Sequence, residues 1–216
     1  MDRTRQRITQ AAIELHGSVG PAATTMSAVA QRAGVTRATL YRHFPDEAAL
    51  FGACSREWLA EHPRPVVAAW AVVTDPGERM RLALGEMYAY YRSAGDMLDR
   101  LLRDFAALPE QTARNLARYP VEMLAALDVG WPTDGDGRVR RAAIGHAIAF
   151  ETWRSLAGQG LADAEAADLM TGLVVGCGQR RRRAPRIGSA RPAPRPAGRG
   201  ARQRRDGLLG PGRPRG

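Results

Sequence analysis

The sequence has no lysine: all thirty-two of its basic residues are arginine. That absence removes the P-loop lysine, the Schiff-base lysine and the Ser-x-x-Lys nucleophile as mechanisms. Cysteine is scarce as well. Cys54 and Cys177 stand alone, with no second pair and no histidine at zinc spacing, so neither a metal site nor a disulfide framework is implied and both thiols are expected to be reduced and packed. No apolar run approaches the roughly 20 residues that a membrane span needs. The basic start, residues 1–7, leads into an amphipathic helix rather than an apolar signal segment, so a cytoplasmic protein is expected. No stretch alternates with period two over a useful length, which leaves an all-α chain. No pairing of titratable groups at a defensible spacing suggests an enzyme, and no cofactor is implied.

The net charge of +10 is unevenly placed. Residues 180–216 hold thirteen arginines against one acid, a charge of +12, so the other nineteen arginines and twenty-one acids leave −2. The high isoelectric point therefore describes the tail. Its Arg, Pro and Gly content, with few large apolar residues, cannot bury enough surface to offset ordering entropy, and disorder is expected there. Two readings of it stand: a basic tail adding non-specific nucleic-acid affinity, or an out-of-frame extension beginning near Gly178.

What the chain does have is concentrated in residues 24–51. Thr25 can cap a short helix that buries Val29, Ala30 and Ala33, and Gly34 ends it where a left-handed residue is least costly without a Cβ. Val35 plugs the corner and Thr36 caps the next helix, whose Leu40 and Phe44 return to the core at i+4 spacing. Pro45 closes that helix, and Asp46 can cap a longer one. This pattern is a helix-turn-helix. The face it leaves exposed carries Arg37, Ala38, Thr39, Tyr41, Arg42 and His43, a mixture of guanidinium, hydroxyl, methyl and phenol groups suited to base edges and phosphates in a major groove. For an isolated helix a solvated polar face is the better reading; the Gly34 turn and the family resemblance of the segment together reverse that.

Here the chain resembles the TetR (tetracycline repressor-like) transcriptional regulators. Thr24-Thr25-Met26, Val29-Ala30, Ala33-Gly34-Val35, Thr39-Leu40-Tyr41, His43-Phe44 and Leu50 fall where that family's amino-terminal signature places such residues, and Ile8, Ala11, Ala12, Leu15 and Gly20 fit its first helix. The resemblance covers about residues 3–52. Three positions depart from it: His16 and Pro21 stand where aromatics are usual, and Glu47 stands where a backbone-contacting lysine is common. The resemblance implies a repressor that binds a palindromic double-stranded DNA operator as a homodimer and answers to a small-molecule effector. It assigns DNA contact to Thr25, Ser27, Thr36, Arg37, Ala38, Thr39, Tyr41, Arg42 and His43, with Arg37 and Thr39 toward bases and Tyr41 and His43 toward phosphates. Arg3, Arg5 and Arg7 are expected to lie as an arm along the backbone. The alternative is a basic protein that binds nucleic acid through its tail without sequence preference.

The organisation expected is a helix-turn-helix domain over residues 1–50, a helical effector and dimerisation domain over 51–179, and the tail. Helices are expected over 46–61, from 75 to Gly95, and over 96–107, 110–128, 138–158 and 163–177, with a loosely helical link at 66–73. Asp134-Gly135-Asp136-Gly137 lacks the further oxygen ligands of a calcium loop and reads as a turn that caps the next helix. Met87, Tyr88, Tyr91, Phe105, His146, Phe150 and Trp153 read individually as helical core. As a group, and by the resemblance, they are candidates for an effector cavity, because several have polar tips that orient a ligand. The last two helices offer Ile144, Ile148, Leu156, Leu169, Leu173 and Val174 for pairing with a second copy.

Overall fold

The computed structural model describes residues 2–132 and 136–179. Residues 180–216, for which disorder is expected, lie outside the described residues, as do Thr133, Asp134 and Gly135 of the expected turn.

Within that range every regular element is helical. The first four helices are α1 (Arg3–Ser18), α2 (Met26–Ala33), α3 (Arg37–His43) and α4 (Glu47–Glu61). Each begins at a side-chain cap of the kind the sequence advertises. Asp2, Thr25, Thr36 and Asp46 accept the amides of Thr4, Ala28, Thr39 and Ala49 respectively, which satisfies donors that have no partner inside the helix. Their inward faces build one core from Ile8, Ala12, Val29, Ala30, Leu40, Phe44, Leu50 and Cys54. Cys54 lies inside it with its thiol against the Thr9 carbonyl, and burial pushes that thiol up to about 12, so it is neutral and unreactive.

A 3₁₀ segment (Val67–Val72) leads to α5 (Pro76–Arg103), followed by α6 (Glu110–Leu127), α7 (Gly137–Ala147), α8 (Phe150–Gly158) and α9 (Asp163–Gln179). They enclose a second core in which Trp70, Met80, Leu84, Met87, Tyr88, Met123, Leu127 and Ile144 are buried to within 1%. Asp136, at the described edge of the expected turn, caps α7.

Two helix boundaries differ from those expected. The segments on either side of Gly95 form one helix of 28 residues. The buried stripe runs through Tyr91, Ala94 and Leu98 without a gap, and this outweighs the roughly 1 kcal/mol that a mid-helix glycine costs. Conversely, the helix expected over 138–158 is broken into α7 and α8. At the break the Tyr88 hydroxyl donates to the Ala147 carbonyl at 2.8 Å, the Tyr91 hydroxyl donates to Ile148 at 2.6 Å, and the Thr152 hydroxyl donates to His146 at 2.6 Å. Carbonyls released from the helical ladder are thus satisfied by side chains, two of them from α5.

Helix α5 serves both cores. Met97 packs with the amino-terminal set and its neighbour Leu98 with the second. Beyond them, the end of α5 grips the α1–α2 turn. Arg100 Nε donates to the Ser18 carbonyl at 2.8 Å, Arg103 donates to Val19 at 3.0 Å, and the Asp104 carboxylate accepts the Ala22 amide at 3.1 Å.

Candidate functional site

The α2–turn–α3 unit is fixed from both sides. Gly34 sits at φ 64° as the left-handed residue closing α2, and the Val35 amide reaches back to Ala30 at 3.0 Å, the bond pattern that ends a helix cleanly. From α1, Arg7 donates to the Ala33 and Gly34 carbonyls, and Arg5 donates to His43 at 2.7 Å while its guanidinium lies 4.1 Å over the Phe44 ring. These two arginines cap the C-terminal ends of α2 and α3. The arm expected from Arg3, Arg5 and Arg7 is instead the first turns of α1, because Asp2 starts the helix there.

Thr25, Ser27, Thr36, Arg37, Ala38, Tyr41 and Arg42 are exposed, and Thr39 and His43 are half-buried. Arg37, Tyr41 and Arg42 are exposed on α3 while Leu40 is buried, and the Arg37 guanidinium lies 5.9 Å from the Tyr41 ring. The Thr36 and Thr39 hydroxyls lie 3.0 Å apart while Thr36 caps the helix, so Thr36 is committed locally. His43 Nδ1 stands 3.3 Å from the Asp2 carboxylate, which ties its ring to the start of α1.

His16, the unusual residue of the first helix, is buried and stacks on Phe51 with ring centroids 4.5 Å apart. Burial lowers it from 6.5 to about 4. Glu47 of α4 lines the small cavity beside it. The folded state therefore holds His16 neutral while the unfolded state takes up a proton as pH falls below 6.5, and stability is lost through the window from 6.5 down to about 4. At roughly 1.4 kcal/mol per unit, the loss approaches about 3 kcal/mol at the lower end. Denaturant titrations at several pH values should show it, and His16→Phe, which keeps the stacking without the titration, should flatten the slope relative to the wild type. Equal slopes for the two proteins would show that His16 does not contribute.

The second core holds a cavity of about 310 Å³ between α5, α6 and the α7–α8 break. Tyr90, Tyr91, Leu98 and Leu102 line it from α5, Leu116, Tyr119, Met123 and Leu124 from α6, and Ile148 and Phe150 from the break. Among the described residues that line it, Arg64, from the Pro63-Arg64-Pro65 link after α4, is the charged one. Of the seven residues expected at an effector cavity, Tyr91 and Phe150 line it. The other five stand elsewhere. Met87 and Tyr88 are fully buried, Phe105 lies on an exposed turn, His146 faces Thr152, and the Trp153 indole donates to Asp163 at 2.9 Å. Sequence reading missed Arg64, Tyr90 and Tyr119. The Pro-Arg-Pro link, and a tyrosine directly before Pro120 within a helix, were the available signals.

The apolar positions expected for pairing also divide. Ile144, Ile148 and Val174 are buried within the chain, because α7 and α9 pack on each other, whereas Leu169 and Leu173 of α9 are 44% and 51% exposed.

Residues 8–54 match the family described as bacterial regulatory proteins, tetR family. Solved structures share the fold. A TetR-like transcriptional regulator from Rhodococcus sp. RHA1 is 23% identical, with 81% of this chain and 96% of that chain covered at a TM-score of 0.58. The TetR family transcriptional regulator PfmR from Thermus thermophilus is 19% identical, with 81% and 98% covered at a TM-score of 0.56. No curated protein matches the chain.

Proposed function

We propose, from the match of residues 8–54 to the family of bacterial regulatory proteins, tetR family, that this chain is a ligand-responsive, DNA-binding repressor of transcription that reads a palindromic operator as a homodimer. The observation that carries the reading is the outer face of α3, where Arg37, Tyr41 and Arg42 are exposed beside the fully buried Leu40. Thr25, Ser27, Thr36, Ala38, Thr39 and His43 flank that face and complete the proposed contact set. The exposed Leu169 and Leu173 support pairing of two copies through α9, and a two-fold dimer presents its recognition helices to successive major grooves. The apolar cavity supports an effector, which acts by preferring the conformer whose recognition helices are wrongly spaced. A coupling of about 1–3 kcal/mol releases DNA by roughly 5- to 150-fold. No helix among the described residues is long and apolar enough to cross a membrane, and we place the protein's work in the cytoplasm.

Selection of bound duplexes from a random pool tests the reading, with a palindromic site as the expected product. Against that site, Arg37→Ala should relax preference at one position per half-site and cost about 1–3 kcal/mol for each lost bidentate base contact. Tyr41→Phe should weaken all sequences alike. Unchanged selectivity in a folded Arg37→Ala variant would remove Arg37 from base reading. Equal binding of random and selected duplexes would favour the arginine-rich residues 180–216 as the seat of affinity.

A further inference from the structure

Building on the ligand-responsive reading above, we propose that the cavity between α5 and α6 takes a monocarboxylate with an apolar body, and that Arg64 receives its carboxylate.

The body follows from the wall. Apart from Arg64 the lining is aliphatic or aromatic, and it includes no acid. Two of its tyrosine hydroxyls are already engaged, since Tyr91 donates to the Ile148 carbonyl at 2.6 Å and Tyr119 donates to Pro65 at 2.8 Å. A ligand with polar groups along its length would strand them against apolar surface, a cost that selects against sugars and nucleosides.

The head group follows from Arg64. Its position is set by a proline on each side, which restricts the backbone to extended conformations. It is half-buried, with its guanidinium 5.1 Å from the centre of the Tyr119 ring and Tyr90 as its hydrogen-bonding neighbour. Among the described residues no carboxylate pairs with it. Of the acids near Tyr119, Glu86 accepts the Trp70 indole at 2.7 Å and Glu122 pairs with Arg118 at 3.1 Å. A half-buried guanidinium at the polar end of an apolar cavity is matched by a planar, singly charged acceptor. A neutral ligand would forgo the charge-assisted bonds that a carboxylate makes with it.

The arrangement also says how binding reaches DNA. Arg64 follows α4 by a few residues, and α4 carries Leu50, Phe51, Ala53 and Cys54 on its buried face near the recognition unit. A carboxylate bound at Arg64 pulls on the link from α4 directly.

Calorimetric titration of the full chain with hexanoate, octanoate and decanoate, and with the matching alcohols, tests the proposal. Affinity should rise about fourfold per added methylene until the cavity is filled. Each acid should bind at least about tenfold more tightly than its alcohol, the scale of a hydrogen bond to a charged group. Arg64→Met, which keeps an apolar stem, should erase the preference for acid over alcohol, and circular dichroism and the alcohol titrations on the same variant check that the fold and the cavity persist. Acids and alcohols binding the wild type equally, or an acid preference that survives in Arg64→Met, would overturn the assignment. Failure of every probe to bind at millimolar concentration would overturn the ligand class. Sequence-selective DNA binding by the same sample separates the two levels: if it persists the regulator reading stands, and if it too is missing the reading beneath falls.

Discussion

Replacement of Phe44 by alanine is expected to abolish sequence-selective DNA binding by unfolding the amino-terminal core. Phe44 is fully buried at the end of α3, and its ring also carries the guanidinium of Arg5, which holds the last carbonyl of that helix. Removing the ring costs about 3–5 kcal/mol in transfer and cavity terms, against a total of roughly 5–15 kcal/mol for a typical domain. Helix α3 has only seven residues, too few to be stable without tertiary contacts. Urea unfolding followed by circular dichroism should show the loss, and Phe44→Leu, which refills most of the space, should recover most of it. A Phe44→Ala protein with wild-type stability and operator affinity would show that α3 is held by its caps alone.

The second large effect is expected at Gly20, in the turn gripped by the end of α5. Its φ of 96° is outside the range that side chains tolerate, and an added Cβ would overlap the Arg103 guanidinium and the Asp104 carboxylate. The backbone penalty of Gly20→Ala is about 1–3 kcal/mol, and displacement of Arg103 and Asp104 adds the loss of their bonds to Val19 and Ala22. The two parts are separable by a double-mutant cycle. In a background carrying Arg103→Ala and Asp104→Ala the clash disappears, so Gly20→Ala should cost less there than in the wild type. Equal costs in both backgrounds would assign the whole effect to the backbone.

What was legible in the sequence was what local chemistry decides. Thr25, Gly34, Thr36 and Asp46 each cap or end a helix through bonds to residues three or four positions away. A reader who knows capping therefore recovers the helix-turn-helix with its exposed face. The features missed depend on partners distant in sequence. The break between α7 and α8 has no glycine or proline at its centre; it is held by Tyr88 and Tyr91, 59 and 57 residues away. Gly95 looked like a stop and is a contact, with Trp153 ring carbons at 3.5 Å from where a Cβ would stand. Arg64 reads as one more arginine among thirty-two until the fold sets it beside Tyr119, with no carboxylate pairing it among the described residues. Likewise, Arg5 and Arg7 look free for phosphate until α1 is seen to place them on the ends of α2 and α3.

The adjacency of Met97 and Leu98 has a thermodynamic meaning. Two neighbouring side chains on one helix belong to two different hydrophobic interiors, so no cut through the chain before α5 leaves the first interior whole. A fragment ending with α4 would lack Met97 and the Arg100, Arg103 and Asp104 grip on the α1–α2 turn. The α2–turn–α3 unit borrows part of its rigidity from the helix that lines the apolar cavity. Melting is thereby shared: whatever tightens α5 by filling the cavity raises the stability of the DNA-reading end as well, in proportion to the logarithm of ligand concentration over its dissociation constant.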